Sequence, residues 1–173
     1  MIERIYIGLG SNIDPEFNLA EALRRLAGRC SILALSTFYR SPAEGDPGGP
    51  PFINGAAEIA AALEPEAVKW ALLRPLEEAL GRIRTADKNA PRTIDLDLLL
   101  YGDRVLDTPR LTLPDPGISR YPFVALPLLE LAPNLILPVW GMPLKELVET
   151  LDASALCRLP EFSDSLKNSS VLR

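Results

Sequence analysis

Residues 91–102 read Pro91-Arg92-Thr93-Ile94-Asp95-Leu96-Asp97-Leu98-Leu99-Leu100-Tyr101-Gly102. The stretch 93–101 is short, mostly apolar and closed by glycine, which predicts a strand. Residues two apart on a strand share a face, so the Asp95 and Asp97 carboxylates project side by side. Like charges so placed repel unless something neutralises them. Divalent cations do so, and two metals about 4 Å apart can bridge a polyphosphate. Taken alone, Asp-x-Asp is common, and an exposed strand edge with incidental acids accounts for it equally well.

Working back from this strand, residues 82–92 are a polar, arginine-rich connection. The helix before it opens at Glu64-Pro65-Glu66, carries a core stripe of Val68, Leu72, Leu76 and Leu80, and ends at Gly81. Pro75 inside it predicts a kink or a missing backbone bond. Residues 52–62 read as a strand. Residues 41–51 hold four prolines and three glycines and form a long loop. Residues 31–39 are a further strand. A helix begins at Asp14-Pro15-Glu16, with Leu19, Leu23 and Leu26 on one face and Gly28 closing it. Residues 4–9 form the first strand, with Ile5, Ile7 and Leu9 on one face and Gly10-Ser11-Asn12 as the break. The order βαββαβ is the ferredoxin-like α+β arrangement, an antiparallel sheet with helices packed on one face. Beyond it follow short extended pieces, the turn Leu113-Pro114-Asp115-Pro116-Gly117, an apolar segment at 123–137 and a short helix at 143–151. Residues 1–160 read as one domain with a C-terminal extension, and 161–173 as a polar, frayed tail.

The chain has 173 residues, a formal charge of −5, two cysteines and no histidine. That length supports one hydrophobic core. The missing histidine excludes a Ser-His-Asp triad, a histidine base and histidine-rich zinc sites. A metal must then sit on carboxylates, which suits hard cations such as magnesium. Cys30 and Cys157 lie outside any metal-binding spacing and read as reduced thiols. No apolar run is long enough to span a bilayer and no secretory pattern opens the chain, so a cytoplasmic location without membrane contact is expected. An acidic chain is poorly suited to nucleic acid.

Positive charge is nonetheless concentrated where the carboxylates are. Arg82, Arg84, Lys88 and Arg92 place four cations within eleven residues, leading directly into the Asp95–Asp97 strand. A solvated charged loop is the ordinary fate of such a run. Beside two carboxylates it reads instead as a phosphate clamp next to a metal site, since guanidinium groups grip phosphate oxygens in pairs. No Gly-x-x-x-x-Gly-Lys-Ser/Thr run occurs, so nucleotide binding would not use a P-loop.

Gly8-Leu9-Gly10-Ser11-Asn12, Phe52-Ile53-Asn54, Gly81-Arg82-Ile83-Arg84 and the block from Pro91 to Gly102 together resemble the 6-hydroxymethyl-7,8-dihydropterin pyrophosphokinase family. The likeness runs from about residue 4 to about residue 137, and Pro-Arg-Thr-Ile-Asp-Leu-Asp is its most specific part. It implies transfer of a diphosphate from MgATP to the hydroxymethyl group of the pterin, with AMP released, in folate biosynthesis. By position it implies that Asp95 and Asp97 hold two Mg2+ ions and that Arg82 and Arg92 steady the phosphates. Arg84, Leu98, Arg110 and Thr112 would contact ATP. Phe52 and Phe123 would sandwich the pterin ring, with Asn54 on its polar edge, Ser41 and Pro42 giving backbone contacts, and Asp95 near the hydroxymethyl group. A single chain suffices for such a site, so a monomer is expected.

Three departures stand out. Asp115 occupies the ATP-facing position where the family usually has histidine, which predicts weaker nucleotide affinity. Arg120 stands three residues before Phe123 rather than two. The loop Thr85-Ala86-Asp87-Lys88-Asn89-Ala90 lacks an aromatic to close over the pterin. Two other readings remain at this point. A non-catalytic pterin- or nucleotide-binding relative would bind without forming AMP. An RNA-binding ferredoxin-like module would need an aromatic strand motif and a basic surface.

Overall fold

Alternation and turn residues divide the chain much as the sequence predicts. In the computed structural model, which describes residues 3–172, the first half runs β1 (Ile5–Ser11), α1 (Pro15–Ala27), β2 (Ser31–Leu35), β3 (Tyr39–Ser41), β4 (Phe52–Ala60), a helix, then β5 (Asp95–Tyr101). The strands form one sheet in the order β5-β1-β4-β3, with β2 also pairing β4, and each of these pairings is antiparallel. This is the α+β, ferredoxin-like arrangement.

The expected strand at 31–39 divides in two. Ser36 accounts for the break: its hydroxyl accepts a hydrogen bond from Ala56 N at 2.9 Å while its own amide donates to Ala56 O at 3.0 Å. The chain therefore leaves β4 after Leu35 and rejoins it at Tyr39.

The helix with the internal proline is also divided. It comprises α2 (Pro65–Ala67), a wider π turn at Val68–Leu73 and α3 (Arg74–Ala79). Arg74 N donates to Lys69 O, five residues back, immediately before Pro75, which has no N–H to give. The proline is thus absorbed by a local widening of the ladder.

Ile5, Ile7 and Leu9 of β1 face α1, the π turn and α3 in the main core, while Tyr6, Leu99 and Leu100 face the other way. On that second face sits the apolar segment, which forms α4 (Pro122–Leu131) and packs with α5 (Leu144–Glu149). Helices thus cover both faces, not one. The small ribbon of β6 (Leu106–Asp107) and β7 (Thr112–Leu113) leads into this layer.

The expected frayed tail is a correction. Residues 157–158 form β8 (Cys157–Arg158) on the edge of β3, and Pro160–Lys167 form α6. Phe162 packs edge-on against Phe38 with centroids 5.8 Å apart, and Leu166 and Val171 are buried in the main core. Polar composition hid a stripe at helical spacing. Both cysteines are free, and among the described residues no helix is long and apolar enough to cross a membrane.

Candidate active site

The site lies where β4, β1 and β5 expose one face between two loops. In register, Asn54 of β4 stands opposite Gly10 of β1, which stands opposite Asp95 of β5; Gly8 faces Asp97 one step further along. The two glycines keep the floor low. A Cβ at Gly10 would lie 2.5 Å from Asn54 Oδ1, so any side chain there would displace the amide. Asn54 Nδ2 donates to Ser41 Oγ at 2.9 Å, which fixes which way the amide points.

A cavity of about 370 Å³ opens above this floor, a volume suited to a small flat ligand. Ser41, Pro42, Phe52, Asn54, Arg92, Asp95, Asp97, Asp115 and Phe123, predicted from sequence, all line it. Lys88 and Asn89 form part of the rim, and Asn89 Nδ2 reaches Gly45 O at 3.5 Å across the two loops.

The carboxylates have different environments. Asp95 accepts from Arg82 Nη1 at 3.1 Å and from Arg92 Nη1 at 2.9 Å, one guanidinium on each oxygen. Arg82 is almost fully buried and also donates to Ile94 O at 2.6 Å. The Arg92 guanidinium lies 5.6 Å from the centroid of the Phe52 ring. Asp97 has no hydrogen-bond partner among the described residues and opens onto the cleft. The surrounding walls strip part of its hydration, and this, with the like charges of Asp95, Asp115 and Glu77, pushes its pKa up. Such a carboxylate is an unclaimed acceptor whose charge calls for a cation.

Four predicted residues lie elsewhere. Leu98 is buried in the main core, because strand alternation turns it away from the face that carries Asp95 and Asp97. Arg110 sits against Glu66 at 3.7 Å with its guanidinium 5.4 Å from the Trp70 ring centroid. Thr112 lies on β7. Arg84 lines the basic loop with Arg82 and Arg92 but is held by Glu77 at 2.5 Å. Asp115 has a local task besides facing the cleft: its Oδ1 accepts from Gly117 N at 2.7 Å and caps the 3-10 turn Pro116–Ser119. Burial raises its pKa.

Two residues that organise the site escape a reading of the sequence. Asn12 Oδ1 accepts from Arg92 N at 2.7 Å and Asn12 N donates to Arg92 O at 3.2 Å, a reciprocal clamp across eighty residues. Its Nδ2 donates to Pro50 O at 3.2 Å, so it ties both loops to β1. Glu77, only 2% exposed, reaches from α3 to the free edge of β5 and accepts from Leu96 N at 2.8 Å, between the two aspartates. Its other oxygen engages Arg84 and, at 3.4 Å, Arg74. Burial pushes its pKa up to about 7, outweighing the Leu96 amide and the arginines. An acid set among Leu73, Leu76 and Leu80 was the available signal.

Comparison with known proteins places the chain in a family. The family model described as 7,8-dihydro-6-hydroxymethylpterin-pyrophosphokinase matches residues 6–133. A 2-amino-4-hydroxy-6-hydroxymethyldihydropteridine pyrophosphokinase of Synechocystis is 41% identical over 153 residues, covering 87% of this chain and 77% of the relative. Proteins of the same name from Pseudomonas aeruginosa and Aquifex aeolicus are 38% and 35% identical, over 92% and 82% of this chain and 99% and 88% of theirs. With the motifs, the fold and these relatives in agreement, the chain belongs to the 7,8-dihydro-6-hydroxymethylpterin-pyrophosphokinase family.

Proposed function

We infer that this protein transfers a diphosphate group from ATP to the hydroxymethyl oxygen of 6-hydroxymethyl-7,8-dihydropterin, an early step of folate biosynthesis. The observation that carries the reading is the pairing of Asp95 and Asp97 on one strand face, one gripped by two arginines and the other without a side-chain partner among the described residues, in a cleft also lined by Phe52 and Phe123.

The pterin ring lies between Phe52 and Phe123, with its polar edge toward Asn54 and its hydroxymethyl arm toward Asp95. Ser41 Oγ orients the Asn54 amide, leaving its carbonyl oxygen free as an acceptor. ATP lies along the basic loop. Arg82 and Arg92, whose guanidinium groups already stand beside the carboxylates, meet the charge that builds on the transferred group. The attacking oxygen bonds to the β-phosphorus as the bond from that phosphorus to the AMP oxygen breaks, AMP leaves with that oxygen, and the hydroxyl proton passes to water.

Magnesium fits the donor set. Asp95 and Asp97 offer hard oxygen donors, and Asp97 is unengaged, its pKa raised first by desolvation and then by neighbouring negative charge. Among the described residues no cluster of three or more histidine, cysteine or acidic side chains surrounds a point, so phosphate oxygens and water would complete the coordination. When bound, the ions neutralise the triphosphate and make the attacking hydroxyl more acidic. Arg84, Arg110, Thr112 and Asp115 remain the nucleotide-facing positions, with Arg84 released from Glu77 on binding. A single chain supplies every side chain named.

Incubation of the protein with MgATP and the hydroxymethyl-dihydropterin is expected to form AMP in equal amount to pterin diphosphate. Binding of both ligands without AMP would overturn the catalytic reading.

A further inference from the structure

We propose that Tyr121 is a positioning residue: its ring holds Phe123 in the orientation in which it forms one wall of the pterin slot. The inference rests on the assignment of Phe52 and Phe123 as the two walls. Tyr121 and Phe123 are stacked, with centroids 5.0 Å apart and planes 16° from parallel, and both line the cleft.

The stack is built into the backbone. Tyr121 is extended, with φ −120° and ψ 118°, and Pro122 follows as the first residue of α4. Residues two apart in an ordinary helix do not face each other. Here the extended residue before the proline brings the Tyr121 ring back alongside Phe123. Three hydrogen bonds fix that turn: Tyr121 N donates to Gly117 O at 2.9 Å, and Tyr121 O accepts from Val124 N and Ala125 N, each at 3.0 Å. The ring also passes close to Gly117, where an added Cβ would lie 3.5 Å from Tyr121 Cδ2.

Phe123 is half-buried at the start of α4, and its ring stacks on that of Tyr121. Ordering such a ring at the moment of binding reduces affinity, whereas a ring already ordered does not carry that cost. Among the described residues the Tyr121 hydroxyl has no hydrogen-bond partner, so the flat ring, not the hydroxyl, is the working part.

The test is equilibrium titration of three variants with 6-hydroxymethyl-7,8-dihydropterin and, separately, with a non-hydrolysable MgATP analogue. Tyr121→Leu is expected to weaken pterin binding about three- to tenfold, the range of a lost aromatic stack, with nucleotide affinity unchanged. Tyr121→Phe is expected to recover the wild-type pterin affinity. Phe123→Leu is expected to weaken pterin binding at least as much as Tyr121→Leu. Wild-type pterin affinity in Tyr121→Leu, equal loss for pterin and nucleotide, or a Tyr121→Phe variant as weak as Tyr121→Leu would overturn the inference while leaving the sandwich standing. A Phe123→Leu variant that bound pterin normally would overturn the sandwich itself and this inference with it.

Discussion

Asp95 and Asp97 stand two residues apart, yet one has both oxygens engaged by guanidinium groups and the other has no partner among the described residues. Glu77 sits behind them, and its placement has a consequence for stability. Its ordinary pKa of 4.5 is raised to about 7 by burial. A carboxyl with a higher pKa folded than unfolded binds its proton more tightly in the native state, so its contribution favours folding below about pH 4.5 and is lost as pH climbs toward about 7. Glu77→Gln removes that titration. Urea unfolding from pH 5 to pH 8 should therefore show the wild type losing stability relative to Glu77→Gln, by on the order of 3 kcal/mol at full effect. Parallel pH curves for the two proteins would show that the arginines and the Leu96 amide keep Glu77 ionised throughout. At this scale the carboxylate pair was legible in the sequence, because strand parity is a local rule that two positions suffice to apply. Glu77 and Asn12 were not, since each acts on a partner far along the chain and only the fold brings them together.

Among the elements, the strands and the first helix could be placed from alternation and from the Pro and Gly at their ends, but not all their limits. β2 and β3 read as one strand because Ser36, which breaks them, differs in no local way from a serine that continues a strand. The π turn was foreshadowed by Pro75, whose missing N–H had to be met somewhere. α6 was missed because Phe162, Leu166 and Val171 are spread among polar residues, and their burial depends on a groove made by β2 and Phe38. That element is structural. Ser163 Oγ accepts from Phe38 N at 2.8 Å, so α6 also satisfies a buried amide beside β3. Leu166→Ala should lower unfolding free energy by about 2–4 kcal/mol, the usual loss for a buried leucine, measured by urea denaturation. A change under about 0.5 kcal/mol, as at an exposed position, would contradict the packing of this helix into the core.

Over the whole molecule, an acidic chain brings Arg82 and Arg92 to one edge of the sheet, where both engage Asp95, and sets Asp97 in the same cleft without a side-chain partner among the described residues. The sheet separates two apolar layers: Leu96 and Leu98 of β5 turn into the main core, Leu99 and Leu100 join the second layer, and Asp95 and Asp97 at the start of the strand open onto the cleft. The residues proposed to hold the pterin, Ser41, Pro42, Phe52, Asn54, Asp95 and Phe123, all line this cleft. The nucleotide side was less legible: Leu98 is turned into the core, while Arg110 and Thr112 depend on the path of the chain after β5, which no periodicity specifies. Asp97 is the side chain on which the proposed metal chemistry most directly depends. Rapid-quench turnover and pterin titration of Asp97→Ala, performed on the same preparation, should give an AMP-forming rate about a hundred- to a thousandfold below wild type, on the scale of a lost electrostatic catalytic group, with pterin affinity within about threefold. Turnover and pterin affinity falling together, or neither changing, would contradict the role given to this carboxylate.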